Sequence, residues 1–126
     1  MKSADERDIE SLMQRYFDGL HHADSTVLRT VFHPKLAYVN ATAGNHEFLD
    51  FAAYMTRIEN RISPAERGET RNEGIDRITV DNGQMGFVEA HMTMIGRDYQ
   101  DLLTLLRTDE GWKVITKVFA YQEEEL

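Results

Sequence analysis

Three sets of residues in this chain have the types and spacing that acid–base or binding chemistry needs. Glu89 and His91 stand two apart in the run Met85-Gly86-Phe87-Val88-Glu89-Ala90-His91. On a strand they project from the same face as Phe87, and a His beside a Glu is a natural proton-transfer pair near neutral pH. Solvent-facing placement is the competing reading of that pair. Asp101 and Lys117 lie in a C-terminal stretch that is otherwise rich in Leu, Val, Ile and Phe. A charge pair among such neighbours is costly to bury, so it marks either a pocket or an ion pair across a subunit interface. Tyr16 falls on the apolar stripe of an N-terminal helix, where its hydroxyl needs a partner if it is buried. From its position alone it reads as a core tyrosine with its hydroxyl at the rim.

The element that must position Asp101 and Lys117 is the hairpin Tyr99 to Gln122, turned by Thr108-Asp109-Glu110-Gly111. With the turn centred on Glu110, Leu105 faces Ile115 and Leu103 faces Lys117. One face then carries Leu102, Leu106, Trp112, Val114 and Val118; the other carries Tyr99, Asp101, Leu103, Leu105, Ile115, Lys117 and Phe119. Both faces are largely apolar, so both need a cover. The helices supply one and a second copy of the chain is the simplest source of the other.

Ser3 and Glu6 form a capping box, and Ile9, Leu12, Met13, Tyr16, Phe17 and Leu20 recur at spacings of three and four, predicting a helix over about residues 4–21. Asp24 caps a short second helix with Leu28, Val31 and Phe32 as its stripe, stopped by Pro34. Leu36 to Thr42 reads as a strand with Leu36, Tyr38 and Asn40 on one face, and Ala43-Gly44-Asn45 as a turn. A third helix is expected over about Glu47 to Arg61, with Phe48, Phe51, Ala52, Met55 and Ile58 on one face. Ser63 to Glu69 is a loop. Arg71 to Val80 and Gln84 to Ile95 are strands joined at Asp81-Asn82-Gly83, the chain's strongest hairpin signal. Gly96-Arg97-Asp98 turns into the C-terminal hairpin, and the acidic tail Glu123-Glu124-Glu125-Leu126 reads as a solvated end. Helices first and a strand meander after them imply an α+β domain.

The 126 residues suit one domain, 1–126, that buries roughly two-thirds of its unfolded surface. The chain has no cysteine, which excludes disulfides, thiolate zinc sites and cysteine nucleophiles. Its net charge of −8, with Lys and Arg dispersed, argues against a nucleic-acid partner. No run is long and apolar enough to span a bilayer, and no signal peptide is evident behind Lys2, so a cytoplasmic protein without a membrane partner is expected. His21 and His22 diverge on a helix and His33, His46 and His91 are isolated, so no metal is expected. There is no nucleophile elbow and no phosphate loop.

In Tyr16-Phe17-Asp18-Gly19-Leu20-His21, Phe32-His33-Pro34, Glu47-Phe48-Leu49-Asp50, Asp101 to Leu106 and Gly111 to Phe119, the chain resembles the nuclear transport factor 2-like (SnoaL-like) superfamily, and its lumazine-binding branch in particular. The resemblance spans nearly the whole chain. It implies a cystatin-like cone, three N-terminal helices packed on a curved antiparallel sheet, with a pocket between helices and sheet and dimerisation through the outer sheet face. The branch's name implies a pterin-like ligand. In ketosteroid isomerase, a relative of that fold, a tyrosine at the place of Tyr16 donates to a developing oxyanion, while the carboxylate base falls at Asn40 here. An amide cannot take and return a proton, so Asn40 departs from that pattern and is left with orienting a ligand by hydrogen bonding.

The expectation is therefore a homodimeric domain that binds a small organic molecule, pterin-like or aromatic, without a cofactor. Its pocket is expected to be lined by Tyr16, Tyr38, Asn40, Phe51, Tyr54, Met55, His91 and Asp101. Two alternatives stand beside it. One is a metal-free isomerase, dehydratase or cyclase working through His91, Asp101 or Tyr16. The other is a structural or adaptor dimer whose cone is filled by its own side chains.

Overall fold

The computed structural model describes residues 2–124, and the tail residues Glu125 and Leu126 lie outside the described residues. Three helices, α1 (Ala4–His22), α2 (Ser25–Val31) and α3 (Phe51–Glu59), accompany six strands: β1 (Phe32–Asn40), β2 (Glu47–Asp50), β3 (Asn72–Asp81), β4 (Met85–Met94), β5 (Arg97–Thr108) and β6 (Gly111–Glu123). The strands form one sheet in the order β2-β1-β6-β5-β4-β3. Every pairing is antiparallel except β1 with β6. The fold is α+β, with α1 against β3 and β6, α2 against β1 and β6, and α3 against β1 and β2, all on the inner face.

Helix α1 starts where Ser3 accepts from the Glu6 amide at 3.1 Å, with Asp5 and Glu6 at the positive end of its dipole. Its stripe from Ile9 to Leu20 is buried, each large apolar side chain contributing roughly 1.5–3 kcal/mol. Gly19 lets α2 close in: a Cβ there would come within 2.6 Å of Leu28. Asp24 caps α2 through the Val27 amide at 3.2 Å. The β3–β4 turn takes positive φ at Asn82 and Gly83, 56° and 63°, as a tight primed hairpin demands.

Three expectations are corrected. The α2 helix ends at Val31, ahead of Pro34, which lies inside β1. Residues 47–50 are strand, paired to β1, and α3 begins only at Phe51 under an Asp50 cap. Phe48 is consequently 74% exposed on the edge strand, and Ala52 is exposed as well. Finally, the C-terminal hairpin carries a bulge. Leu103 opposes Lys117 and Thr104 opposes Thr116, but Leu105 opposes Val114, leaving Ile115 as the extra residue. Trp112 and Val114 therefore join Leu105 on the inner face and are buried, while Leu102, Leu106 and Val118 stay on the outer one.

Candidate functional site

Four elements bring polar side chains to one point inside the cone. The stripe of α1 delivers Tyr16, and the Asp50 cap, through the Ala53 amide at 2.9 Å, orients α3 so that Tyr54 points inward. Asp101 comes from β5 and Lys117 from β6, where it lies beside Tyr38 of β1 in the parallel pairing. Tyr16, Tyr54, Asp101 and Lys117 are 0, 1, 2 and 4% exposed.

Lys117 Nζ donates to Tyr16 Oη at 2.7 Å and to Tyr54 Oη at 3.2 Å. Tyr16 in turn donates to Asp101 Oδ2, which lies 4.0 Å from the ammonium. The tyrosine hydroxyl is thus a bridge between the buried cation and the buried anion. The ammonium also faces the rings of Tyr16, Tyr54 and Phe119 at 4.9, 5.4 and 5.4 Å, which offsets part of its lost hydration. Around it Tyr38 packs on Tyr54 at 4.4 Å and on Phe119 at 5.0 Å, and Phe32 sits edge-on to Tyr16 and Tyr54. Two valences remain open. Asp101 Oδ1 is buried without a partner, and the Tyr54 hydroxyl accepts from Lys117 but donates to nothing among the described residues. An unmatched carboxylate oxygen in such a place carries a desolvation penalty of at least about 1–3 kcal/mol.

Burial, and next the negative charge of Asp101, holds the Tyr16 hydroxyl well above the ordinary tyrosine pKa. Burial likewise pushes Tyr54 up, opposed in part by the Arg61 guanidinium. Tyr38 rises through burial, opposed by Lys117. All three phenols are therefore held protonated, as donors.

Of the expected site residues, Tyr16, Tyr38, Tyr54 and Asp101 converge, and Met55 is buried in the same core. Phe51 is half-buried at the start of α3 with the Arg29 guanidinium 5.5 Å over its ring, outside the cluster. Asn40 is buried but committed: it donates to Glu47 at 3.1 Å and accepts from the Thr42 amide at 3.0 Å, tying off the end of β1. His91 does not join the group. It stands on the outer sheet face, 45% exposed, with Nδ1 2.8 Å from Asp76 rather than paired with Glu89. Its ring lies over Gly74, where a Cβ would come within 2.7 Å of it. The reason is the alternation of β4, which turns Val88, Ala90, Met92 and Met94 inward and their neighbours outward. Lys117 is the centre that the pocket expectation omitted. Its signal is the charge it shares with Asp101 among the apolar residues of the C-terminal hairpin.

The model of a family described as "Putative lumazine-binding" matches residues 4–120. The chain belongs to that family. Solved structures extend the likeness to whole chains. A nuclear transport factor 2-like protein of unknown function from Shewanella baltica is 20% identical with a TM-score of 0.84, over 98% of this chain and 100% of that one. One from Silicibacter pomeroyi is 20% identical with a TM-score of 0.82, over 92% and 94%. A cystatin-like protein from Burkholderia xenovorans is 14% identical with a TM-score of 0.73, over 94% and 92%. No curated protein matches. At these identities the likeness carries the architecture, so this member of the lumazine-binding family has the nuclear transport factor 2-like, cystatin-like fold. No described helix is long and apolar enough to cross a membrane, and no group of three or more His, Asp or Glu that could hold a metal ion occurs among the described residues.

Proposed function

We propose that the chain binds a small, flat organic molecule between its helices and the inner face of its sheet. The observation that carries this is the buried pair of Lys117 and Asp101, with Asp101 Oδ1 left without a partner. Replacing such a pair by apolar residues is often neutral or stabilising, so stability alone gives no reason to keep it. A ligand N–H or O–H would satisfy Asp101 Oδ1, a ligand carbonyl would accept from Tyr54, and Tyr38, Phe32 and Phe119 would wall the ring. Pterins and related heterocycles present donors and acceptors on one flat edge, which fits both the cluster and the family's name. Because the cluster is almost fully buried, a ligand enters only when the packing over it opens.

A second reading, acid–base catalysis on the bound molecule, is favoured by one feature: Tyr16 Oη lies between a proton donor and a carboxylate. The outer face, with Met85 and Leu102 at 55% and 38% exposure, is the surface we assign to a second copy of the chain. The test of binding is thermal unfolding against a panel of lumazines, pterins, flavins and aromatic acids. At least one member at 100 times its Kd should add about 2.7 kcal/mol of stability. Chromatography and NMR of the recovered ligand separate the two readings, since an enzyme returns it changed, and an isomerase changes it without changing its mass. No stabilisation by any member would overturn both.

A further inference from the structure

The loop after α3 and the β4–β5 turn together form a cavity of about 460 Å³ lined by Asn60, Arg61, Ile62, Arg67, Ile95 and Arg97. From these residues we infer that the ligand of the inner site is an organic anion, a carboxylate or a comparable acid, recruited through this vestibule. The inference rests on the inner-site reading above and names the class of molecule that site takes.

Three guanidinium groups around one cavity stand out in a chain of net charge −8. Arg97 has a partner in Glu123 at 3.3 Å, on the rim. Arg61 and Arg67 form no ion pair with a carboxylate among the described residues. The one carboxylate holding the turn, Glu69, is occupied in accepting from the Ile95 amide at 2.9 Å. Unpaired arginines beside each other repel, and an anion relieves them with bidentate hydrogen bonds.

Beside the arginines and Asn60, the lining is two isoleucines, apolar where exposure or geometry makes that costly. Ile62 is 61% exposed. Ile95 holds φ at 49°, a left-handed conformation that β-branched residues avoid at about 1–2 kcal/mol. Cations and exposed aliphatic groups in one hollow suit an acid with a hydrophobic body.

The vestibule is also connected to the inner cluster. Arg97 reaches the Tyr99 hydroxyl at 3.5 Å, Tyr99 packs on Phe119 at 5.8 Å, and Phe119 faces the Lys117 ammonium at 5.4 Å. On the α3 side, the field of Arg61 is felt at the buried Tyr54 hydroxyl. A negative charge held at Arg61 and Arg67 thus leaves the body of the molecule over the aromatic ladder that ends at Lys117.

Matched acids and amides test this: benzoate against benzamide through 2-naphthoate against 2-naphthamide, titrated by calorimetry into the wild-type chain and into an Arg61→Gln/Arg67→Gln variant. Acids should bind at least about tenfold more tightly than their amides, the worth of one charge-assisted hydrogen bond. That preference should shrink towards one in the variant and with added salt. Arg67 is exposed and Arg61 half-buried, and neither forms an ion pair among the described residues, so the variant should keep its unfolding temperature. Acids and amides binding alike, or a preference that survives in the variant, would overturn the anion assignment while leaving the inner site standing. Failure of every pair to bind would overturn it together with the inner-site reading for aromatic molecules.

Discussion

The two faces of the sheet each carry an acid–base couple, and they differ almost entirely in their surroundings. On the inner face Lys117 and Asp101 are 4% and 2% exposed and are linked through Tyr16. On the outer face the side chains of His91 and Asp76 are 45% and 43% exposed, in direct contact at 2.8 Å. The closer pair is the one whose loss on one side costs less. In water an exposed pair contributes about 0–1 kcal/mol, because solvent screens it and side-chain freedom opposes it. The inner pair has lost its hydration and depends on the tyrosines for replacement, so the cluster holds together or fails as a unit. Proximity in sequence drew attention to His91; burial is what gives Asp101 and Lys117 their leverage.

The largest expected effect comes from breaking the inner pair on one side. Lys117→Met should cost about 3–5 kcal/mol in urea unfolding, because it strands the Asp101 carboxylate. Adding Asp101→Leu should recover most of that loss. If the single variant unfolds like the wild type, the two faces do not differ as described. An intermediate effect is expected in alkali. Tyr16, Tyr54 and Tyr38 keep their protons in the fold above their ordinary values, while the unfolded chain releases them near pH 10. Between the unfolded and folded values the native state binds more protons, so stability is intact below about pH 10 and falls as pH rises beyond it. Stability that holds level from pH 9 to 11 would contradict the protonated cluster. The smallest effect on the fold belongs to the outer face. Leu102→Lys should change the stability of the monomer by no more than about 0.5 kcal/mol, yet shift sedimentation from dimer to monomer. A wild-type chain that already sediments as a monomer would remove the second copy from the account.

Much of this contrast was legible in the sequence, and the losses have identifiable causes. The stripe from Ile9 to Leu20, the Asp24 cap and the Asn82-Gly83 turn lie where local chemistry placed them. Asp101 and Lys117 shared a face as expected because the bulge falls beyond them, between Thr104 and Leu105. Trp112 and Val114 lie on the face opposite to the one their spacing predicts, because Val114 and Ile115 are both apolar and nothing in their types marks the extra residue. Phe48 counted as helical because its spacing to Phe51 and Met55 imitates a helix stripe, whereas pairing with Val39 made it strand. His91 and Asn40 have the right chemistry in the wrong orientation or already committed, and that is decided by tertiary contacts no local pattern records. The vestibule leaves no sequence signal for the same reason: Arg61, Arg67 and Arg97 are scattered along the chain and meet only in the fold.

The most direct measurement is a calorimetric titration of the tightest-binding member of the ligand panel into the wild-type chain and into Tyr54→Phe. The substitution removes one hydroxyl, the one whose proton has no acceptor among the described residues, and leaves the ring in place. If the molecule occupies the space between helices and sheet, affinity should fall about tenfold, as for a single buried hydrogen bond. Equal affinity in the two proteins would mean that the ligand binds elsewhere and that the cluster around Lys117 is not its site.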